Sequence, residues 1–155
     1  MQLLLLRHAD ASSAAATDDL RPLSDKGRQQ AQRVARFCKE HNLQPDVILA
    51  SPFLRTEQTA QIVGEELGCE MVLSAFLAAG MMPFAAMEEL RASLRFECVM
   101  MVGHEPDLGS LAGALLGAGN PGAIRFRKAT LASLEVESLT CGGANLEFLV
   151  PAKML

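Results

Sequence analysis

Three short segments of the chain combine histidine and arginine in a way that suits phosphoryl transfer. Arg7 and His8 form the first segment, Arg55 lies in the second, and His104 lies in the third. Planar guanidinium groups bind the non-bridging oxygens of a phosphoryl group through paired hydrogen bonds. A neutral imidazole is a good nucleophile near pH 7, because its ordinary pKa is about 6.5. One histidine can therefore attack phosphorus while the other stabilises the charge that develops on the oxygens.

Each of these segments follows a stretch that is predicted to be a buried strand. The stretches Gln2–Leu6, Asp46–Ala50 and Cys98–Val102 are short and mainly apolar, which is typical of strands covered on both faces. Parallel strands bring their carboxyl ends to one edge of a sheet, where α/β proteins bind their ligands. Each segment alone also fits a surface loop, a solvated arginine or a hydrogen-bonded core histidine. Their shared position after three strands favours a single site.

Helical patterns separate the predicted strands. Ser24 is a candidate N-cap for one helix, and Gly68 is a candidate C-terminal boundary for another. The predicted helices cover about 24–41, 54–67, 83–94 and 106–116, and a further strand covers 70–73. This alternation predicts a three-layer α/β/α sandwich with a mostly parallel central sheet. The length of 155 residues fits one domain over 1–155.

The C-terminal part of the chain shows shorter strand patterns. Apolar residues at 132, 134 and 136 alternate with Ser133, Glu135 and Glu137, which predicts a strand with one solvent-exposed face. Gly142 and Gly143 are typical of a hairpin turn, and they lead to a last strand over 145–150.

The composition argues against several classes of protein. The formal net charge is −4, so binding of nucleic acid or of an anionic membrane through a basic face is not expected. No apolar run approaches the ~20 residues of a membrane span, and Arg7 interrupts the first run too early for a signal peptide. The four cysteines form no Cys-x-x-Cys pair and no Cys/His cluster. We therefore predict a cytoplasmic protein without a metal or other cofactor.

The motifs around these residues resemble those of the histidine phosphatase superfamily, which has the phosphoglycerate-mutase-like fold. They are Arg7-His8-Ala9, the run from Ser51 to Thr59 (SPFLRTEQT), and Gly103-His104-Glu105-Pro106. Arg21-Pro22-Leu23-Ser24, followed by Gly27, resembles the short-chain branch of SixA-type protein phosphohistidine phosphatases. The resemblance extends from Gln2 to Leu116 in order and spacing.

The resemblance implies a role for each matched residue. His8 is expected to be the nucleophile and to form a phosphohistidine intermediate. The phosphoryl oxygens are expected to contact Arg7, Arg55 and His104, with Arg21 adding a cation at the pocket mouth, and Ser51 and the amide of Glu105 as weaker candidates. Arg21 has an alternative interpretation as a loop residue paired with Asp18 or Asp19. Ser51 has one as a residue that only turns the chain after a strand.

The sequence departs from the wider family in the group that protonates the leaving oxygen. Mutases and sugar-phosphate phosphatases of the superfamily take this acid from the loop or helix after the third strand. The stretch Met71–Met87 contains neither Asp nor Glu. Glu88 and Glu89 fit a solvated helix face, while Asp10 and Glu105 lie nearer the site and Glu105 fits a helix start. Whether any of these four carboxylates acts as the acid is left open by the sequence.

A missing acid favours a substrate whose leaving group is easily expelled. An alkoxide needs a proton in the transition state, whereas an imidazole departs as a neutral molecule when its other nitrogen is protonated. We therefore predict a metal-independent phosphohistidine phosphatase. The resemblance to the SixA-type branch implies that its substrate is a phosphohistidine-bearing signalling or phosphocarrier protein. A small phosphomonoesterase or mutase of the same superfamily is one alternative. A module that binds phosphorylated partners without turnover is another.

Overall fold

A computed structural model describes the backbone of residues 1–155 and all side chains except that of Pro121. The described strands are β1 (Gln2–Arg7), β2 (Val47–Ala50), β3 (Met71–Leu73), β4 (Cys98–Gly103), β5 (Leu131–Val136) and β6 (Ala144–Val150). The described α-helices are α1 (Asp25–Glu40), α2 (Leu54–Leu67), α3 (Pro83–Leu90) and α4 (Asp107–Leu115). Each of these strands and helices matches a predicted element to within a few residues at its ends. Half of the residues in the chain are hydrophobic, and they supply the core.

The strands form one sheet in the order β3-β2-β4-β1-β5-β6. The first four strands, β1 to β4, are parallel to one another. β5 is antiparallel to β1 on one side and to β6 on the other. The mostly parallel sheet is therefore confirmed, with the C-terminal hairpin adding its antiparallel edge. The parallel pairs need crossover helices, and those helices lie on both faces of the sheet.

β1 shows how the sheet is buried between two helical layers. Leu3 and Leu5 pack in the cluster that contains residues of α3 and α4, whereas Leu4 and Leu6 pack in the cluster with α1 and α2. All four leucines are fully buried. Each burial stabilises the fold by about 1.5–3 kcal/mol. Successive strand residues point to opposite faces, so an unbroken apolar run is what a two-sided core requires. The α/β/α sandwich is confirmed.

Two details differ from the sequence prediction. The third helix ends as an α-helix at Leu90 and continues as a 3₁₀ turn over Arg91–Ser93, so the predicted end at Leu94 is approximate. The prediction that Ser133 faces solvent is wrong, because its side chain is fully buried. Ser133 lies on the same face as Leu131, which packs in the core, and its hydroxyl accepts a hydrogen bond from Gln2 Nε2 at 3.1 Å.

Candidate active site

The sheet order brings the three histidine- and arginine-bearing segments together. β4 lies between β1 and β2, and Arg7 at the end of β1 pairs with Gly103 at the end of β4. The next residues, His8 and His104, therefore leave the same edge side by side. The backbone N–H of His8 donates to the Gly103 carbonyl at 3.0 Å, and the two imidazole rings have centroids 5.4 Å apart.

His8 is held with one ring nitrogen unprotonated, as a nucleophile requires. The ring is 7% exposed, and its Nδ1 lies 2.8 Å from the carbonyl oxygen of Ala9. Because a carbonyl only accepts, Nδ1 carries the proton and the lone pair is on Nε2. Arg55 Nε donates to this Nε2 at 3.3 Å. Burial lowers the pKa of His8 to about 3, with Arg55, His104 and Arg7 adding to the effect, so the ring is neutral at pH 7.

The loop that follows His8 is fastened to the two flanking helices. The N–H of Ala9 donates to Thr59 Oγ1 on α2 at 3.1 Å. The Asp10 carbonyl accepts from the N–H of Ser24, the residue whose hydroxyl caps α1 by accepting from Gly27 N at 3.0 Å. A Cβ at position 27 would overlap the Asp10 backbone, so only glycine fits there. The Ser24 cap predicted from the sequence is therefore also a support for the His8 loop.

His104 is bracketed by a hydroxyl on one ring nitrogen and a guanidinium on the other. Ser51 Oγ lies 2.8 Å from Nε2, and Arg55 Nη2 lies 3.5 Å from Nδ1. Burial, followed by the positive charge of Arg55, lowers the pKa of His104 to about 4. Ser51 is fully buried and also accepts from Phe53 N at 3.3 Å. The structure thus places Ser51 beside His104. The position of Ser51 after a strand in the sequence did not predict this contact.

Arg55 contacts both histidines and Asp18. It lies in the first turn of α2, is 6% exposed, and stacks over the Phe53 ring at 5.0 Å. Besides its contacts to the two histidines, Nη1 donates to the Asp18 carbonyl at 2.6 Å and Nη2 donates to Asp18 Oδ2 at 3.0 Å. Asp18 balances this guanidinium from the exposed side, and an oxyanion that takes the place of Asp18 would meet a buried cation beside two neutral rings.

Arg7 contributes a second guanidinium to this edge. Its Nη1 donates to the carbonyl oxygen of Phe126 at 2.8 Å. Its Nε is buried without a hydrogen-bond partner among the described residues. Buried donors are nearly always satisfied in native proteins, so this one marks a place where an anion's oxygen would be stabilised.

Asp18 occupies the mouth of the pocket, which sequence reasoning did not anticipate. Its carboxylate bridges Arg55 and Arg21, with Arg21 Nη1 donating to Oδ1 at 3.0 Å. Hydrogen bonds from Arg21 and then Arg55 lower the pKa of Asp18, although its side chain is 60% exposed. The pairing of Arg21 with Asp18 is the alternative that the sequence left open. Asp18 also joins Arg21 to Arg55, so Arg21 lies near the site, and its contact with the phosphoryl group stays a prediction.

Two of the four candidate acids, Glu105 and Asp10, already bind other groups. The Glu105 carboxylate accepts from Gly109 N in the first turn of α4 and from Phe126 N, both at 3.2 Å, so it supports the start of this helix. Burial raises the pKa of Glu105, with these two hydrogen bonds and Arg7 opposing the rise. Asp10 accepts from Lys128 Nζ and from Ser24 Oγ, both at 2.6 Å, and these contacts lower its pKa.

The carboxylates of α3 are directed to solvent. Glu88 pairs with Arg91 at 3.0 Å and is 69% exposed, and Glu89 is exposed as well. Within the described part of the chain, no group of three His, Cys, Asp or Glu side chains is arranged to hold a metal ion. None of the described helices has the length and apolar character that a membrane crossing requires.

Comparison with known proteins gives the same family as the motifs. Residues 3–78 match the model of the histidine phosphatase superfamily, branch 1. Phosphohistidine phosphatase SixA of Escherichia coli (strain K12) is 29% identical over 151 residues, which cover 94% of this chain and 91% of that protein. An uncharacterized protein of Picosynechococcus is 33% identical over 139 residues, with 86% and 84% covered. The structure of the protein histidine phosphatase SixA complexed with tungstate superposes with a TM-score of 0.90 at 26% identity and covers 99% of each chain. The chain therefore belongs to the histidine phosphatase superfamily, with SixA-type proteins among its relatives.

Proposed function

We propose that the protein is a phosphohistidine phosphatase, which removes the phosphoryl group from a phosphohistidine side chain of another protein. One observation carries the proposal: the unprotonated Nε2 of a neutral, buried His8 lies 3.3 Å from Arg55 Nε, beside the ring of His104. The tungstate complex of SixA supports it, because tungstate is a tetrahedral oxyanion like phosphate and the two chains share their fold over 99% of their length.

In the first step, His8 Nε2 attacks phosphorus and the P–N bond to the substrate imidazole breaks. The electron pair of that bond remains on the leaving nitrogen. If the other nitrogen of the substrate ring is protonated, the ring departs as neutral imidazole and no acid has to supply a proton. Arg7, Arg55 and His104 bind the three non-bridging oxygens and stabilise the charge on them in the transition state.

In the second step, water attacks the phosphoryl group on His8 and phosphate leaves. The Ala9 carbonyl keeps the proton on Nδ1, so the phosphorylated ring is the cationic form whose P–N bond breaks to give neutral His8. The water oxygen forms the new P–O bond, and both protons of the water leave with the released phosphate. The same hydrogen bond therefore prepares the nucleophile in the first step and the leaving group in the second.

The surroundings of the pocket favour phosphohistidine over a phosphate monoester. Asp10 and Glu105 are the carboxylates nearest the site in the sequence, and each already has two partners. An alkoxide leaving group needs an acid, whereas a protonated phosphoramidate does not. Asp18 at the mouth is held as a carboxylate and leaves Arg55 when the phosphoryl group enters.

The partner that fits this pocket is a protein that presents a phosphohistidine, such as a signalling or phosphocarrier domain. The Asp18 side chain, which binds Arg55, is 60% exposed, so the site lies next to the surface, and displacement of this carboxylate would let a side chain of another protein reach Arg55. We place the reaction in the cytoplasm. The four cysteines are free, which fits a reducing compartment.

The direct test is phosphate release from a protein phosphorylated on histidine, measured with and without EDTA. We expect the same release in both samples and none from His8→Ala. Release that stops with EDTA would contradict a metal-independent reaction. The same enzyme is then given sugar phosphates at equal concentration. Faster turnover of sugar phosphates than of phosphohistidine would favour the monoesterase, and a stable complex without release would favour a binding module.

A further inference from the structure

The segment 124–128 carries exposed cations next to the candidate site, although the net charge of the chain is −4. Arg125 and Arg127 are exposed, whereas Phe126 between them is 1% exposed and packs in the core. The buried phenylalanine fixes the segment, so the two arginines project from an anchored backbone. We call Arg125 and Arg127 the basic rim.

The backbone of this segment is bonded directly to the residues of the site. The Phe126 carbonyl accepts from Arg7, and the Phe126 N–H donates to Glu105. Three residues further on, the N–H of Ala129 donates to the His8 carbonyl at 3.1 Å. The basic rim is therefore held at a fixed distance from the site, because Arg7 and His8 at the end of β1 bond to the backbone of its segment.

The rim borders two surface cavities that flank the segment. Arg125 lines a cavity of about 360 Å³ together with Arg7 and Glu105. Arg127 lines another of about 280 Å³, where Lys26, Lys128 and Lys153 surround one carboxylate, that of Asp10. The rim thus continues the positive potential of the pocket outward over the surface.

The basic rim has no ion-pair partner in the part of the chain that the structure describes. Lys128 is bound to Asp10 at 2.6 Å, but neither Arg125 nor Arg127 forms an ion pair with any described residue. Two exposed cations without ion pairs contribute little to the stability of the fold. Their placement around an anion-binding pocket instead suits recognition of an acidic surface.

We propose that Arg125 and Arg127 bind acidic residues that surround the phosphohistidine of the partner protein. This inference rests on the proposed function and names the surface chemistry of the partner. The net charge of −4 favours a local acidic protein patch over nucleic acid or an anionic membrane, which need a larger basic face. Exposed charges at the edge of an interface act mainly through the association rate and its salt dependence.

The test uses three substrates that differ only outside the phosphoryl group. Two synthetic peptides carry one phosphohistidine each, flanked by glutamates in one and by lysines in the other, and phosphoimidazole is the small reference. We expect kcat/KM for the glutamate peptide, divided by that for phosphoimidazole, to fall about tenfold in Arg125→Glu/Arg127→Glu. The same variant should gain activity on the lysine peptide. Salt at about 0.5 M should remove most of the difference between wild type and variant.

A matched control carries the same charge change away from the site. Arg36 on α1 and Arg95 before β4 are both exposed, and Arg95 lies at the opposite edge of the sheet from the pocket. Arg36→Glu/Arg95→Glu should keep the wild-type ratio between the glutamate peptide and phosphoimidazole. Arg127→Gln provides a milder rim change and should lower the ratio by a smaller factor.

The outcomes separate the two proposals. Hydrolysis of phosphoimidazole and of both peptides at equal rates by wild type and rim variant would overturn the rim and leave the phosphatase function intact. Failure of the wild type on all three substrates would contradict the function itself, and the rim falls with it. Stronger inhibition by short single-stranded DNA or by phosphatidylglycerol vesicles than by the unphosphorylated glutamate peptide would assign the rim to another class of partner.

Discussion

The two buried histidines should make the stability of the fold depend on pH between 7 and 5. His8 and His104 have pKa values of about 3 and about 4, below the ordinary value of 6.5 that they regain on unfolding. Between pH 6.5 and these values the unfolded chain binds more protons than the folded one. Stability is therefore complete above pH 6.5 and is lost as the pH falls towards 4 and then 3.

The size of the effect at pH 5 depends little on the folded pKa values. At pH 5 both histidines of the folded chain are still mainly neutral. In the unfolded chain they are mainly protonated, because pH 5 is about 1.5 units below their ordinary pKa. Each histidine then lowers the free energy of unfolding by about 2 kcal/mol, and the pair by about 4 kcal/mol. The carboxylates with lowered pKa, Asp10 and Asp18, add to the loss mainly below pH 5, because their ordinary value of 3.8 is lower.

Urea unfolding at pH 7 and pH 5 measures this loss. The wild type should lose about 4 kcal/mol, and His8→Gln or His104→Gln about 2 kcal/mol each, because one titrating ring is gone. His41→Gln is the matched control, since His41 is exposed at the end of α1, and it should behave as the wild type does. A wild-type loss below about 1 kcal/mol, or an equal loss in all four proteins, would refute the neutral, buried state of the nucleophile.

Three substitutions test other parts of the site. Asp18→Asn should tighten inhibition by orthovanadate about fivefold, because the carboxylate competes with an anion for Arg55 across a 3.0 Å ion pair. Weaker inhibition would mean that Asp18 positions Arg55 instead. Ser51→Ala removes the 2.8 Å partner of His104 and should lower kcat about tenfold in steady-state assays, and an unchanged kcat would show that His104 does not depend on it. Glu105→Gln should lower the free energy of unfolding by about 1–2 kcal/mol in urea but keep phosphate release within a few-fold. A loss of release beyond about 100-fold would instead make Glu105 the general acid.

Much of the fold follows from local patterns in the sequence. The runs Gln2–Leu6 and Cys98–Val102 are apolar without alternation, and both are buried strands in the structure. Ser24 is an N-cap and Gly68 ends its helix in the left-handed region at φ +65°, as their residue types suggest. These signals are local, because a cap or a period needs only a few neighbouring residues.

The positions of His8, Arg55 and His104 in one pocket were predictable for a topological reason. Each follows a strand or starts a helix at the carboxyl edge of a parallel sheet, so strand order alone brings them together. The contacts between them depend on side-chain directions in loops. Asp18 reaches Arg55 from an irregular segment with no period, and nothing local in the sequence indicates which cation it selects.

Long-range packing accounts for the features that sequence reasoning missed. Ser133 alternates with apolar residues like a solvent-facing position, yet the strand it lies on has a partner on each side and a covered face. Arg125 and Arg127 fit a solvated segment when considered alone. The hydrogen bonds that place them beside the site, those of Phe126 with Arg7 and Glu105 and that of Ala129 with His8, join residues far apart in the sequence.

The central claim is that His8 carries the phosphoryl group during turnover. The most direct measurement is to mix the enzyme with a ³²P-labelled phosphohistidine protein, stop the reaction in alkali within one turnover, and locate the label by peptide mass spectrometry. The account predicts phosphate on His8 that is stable in alkali and lost in acid, and no label in His8→Asn. Label on another residue, an acid-stable label, or full turnover by His8→Asn would contradict it.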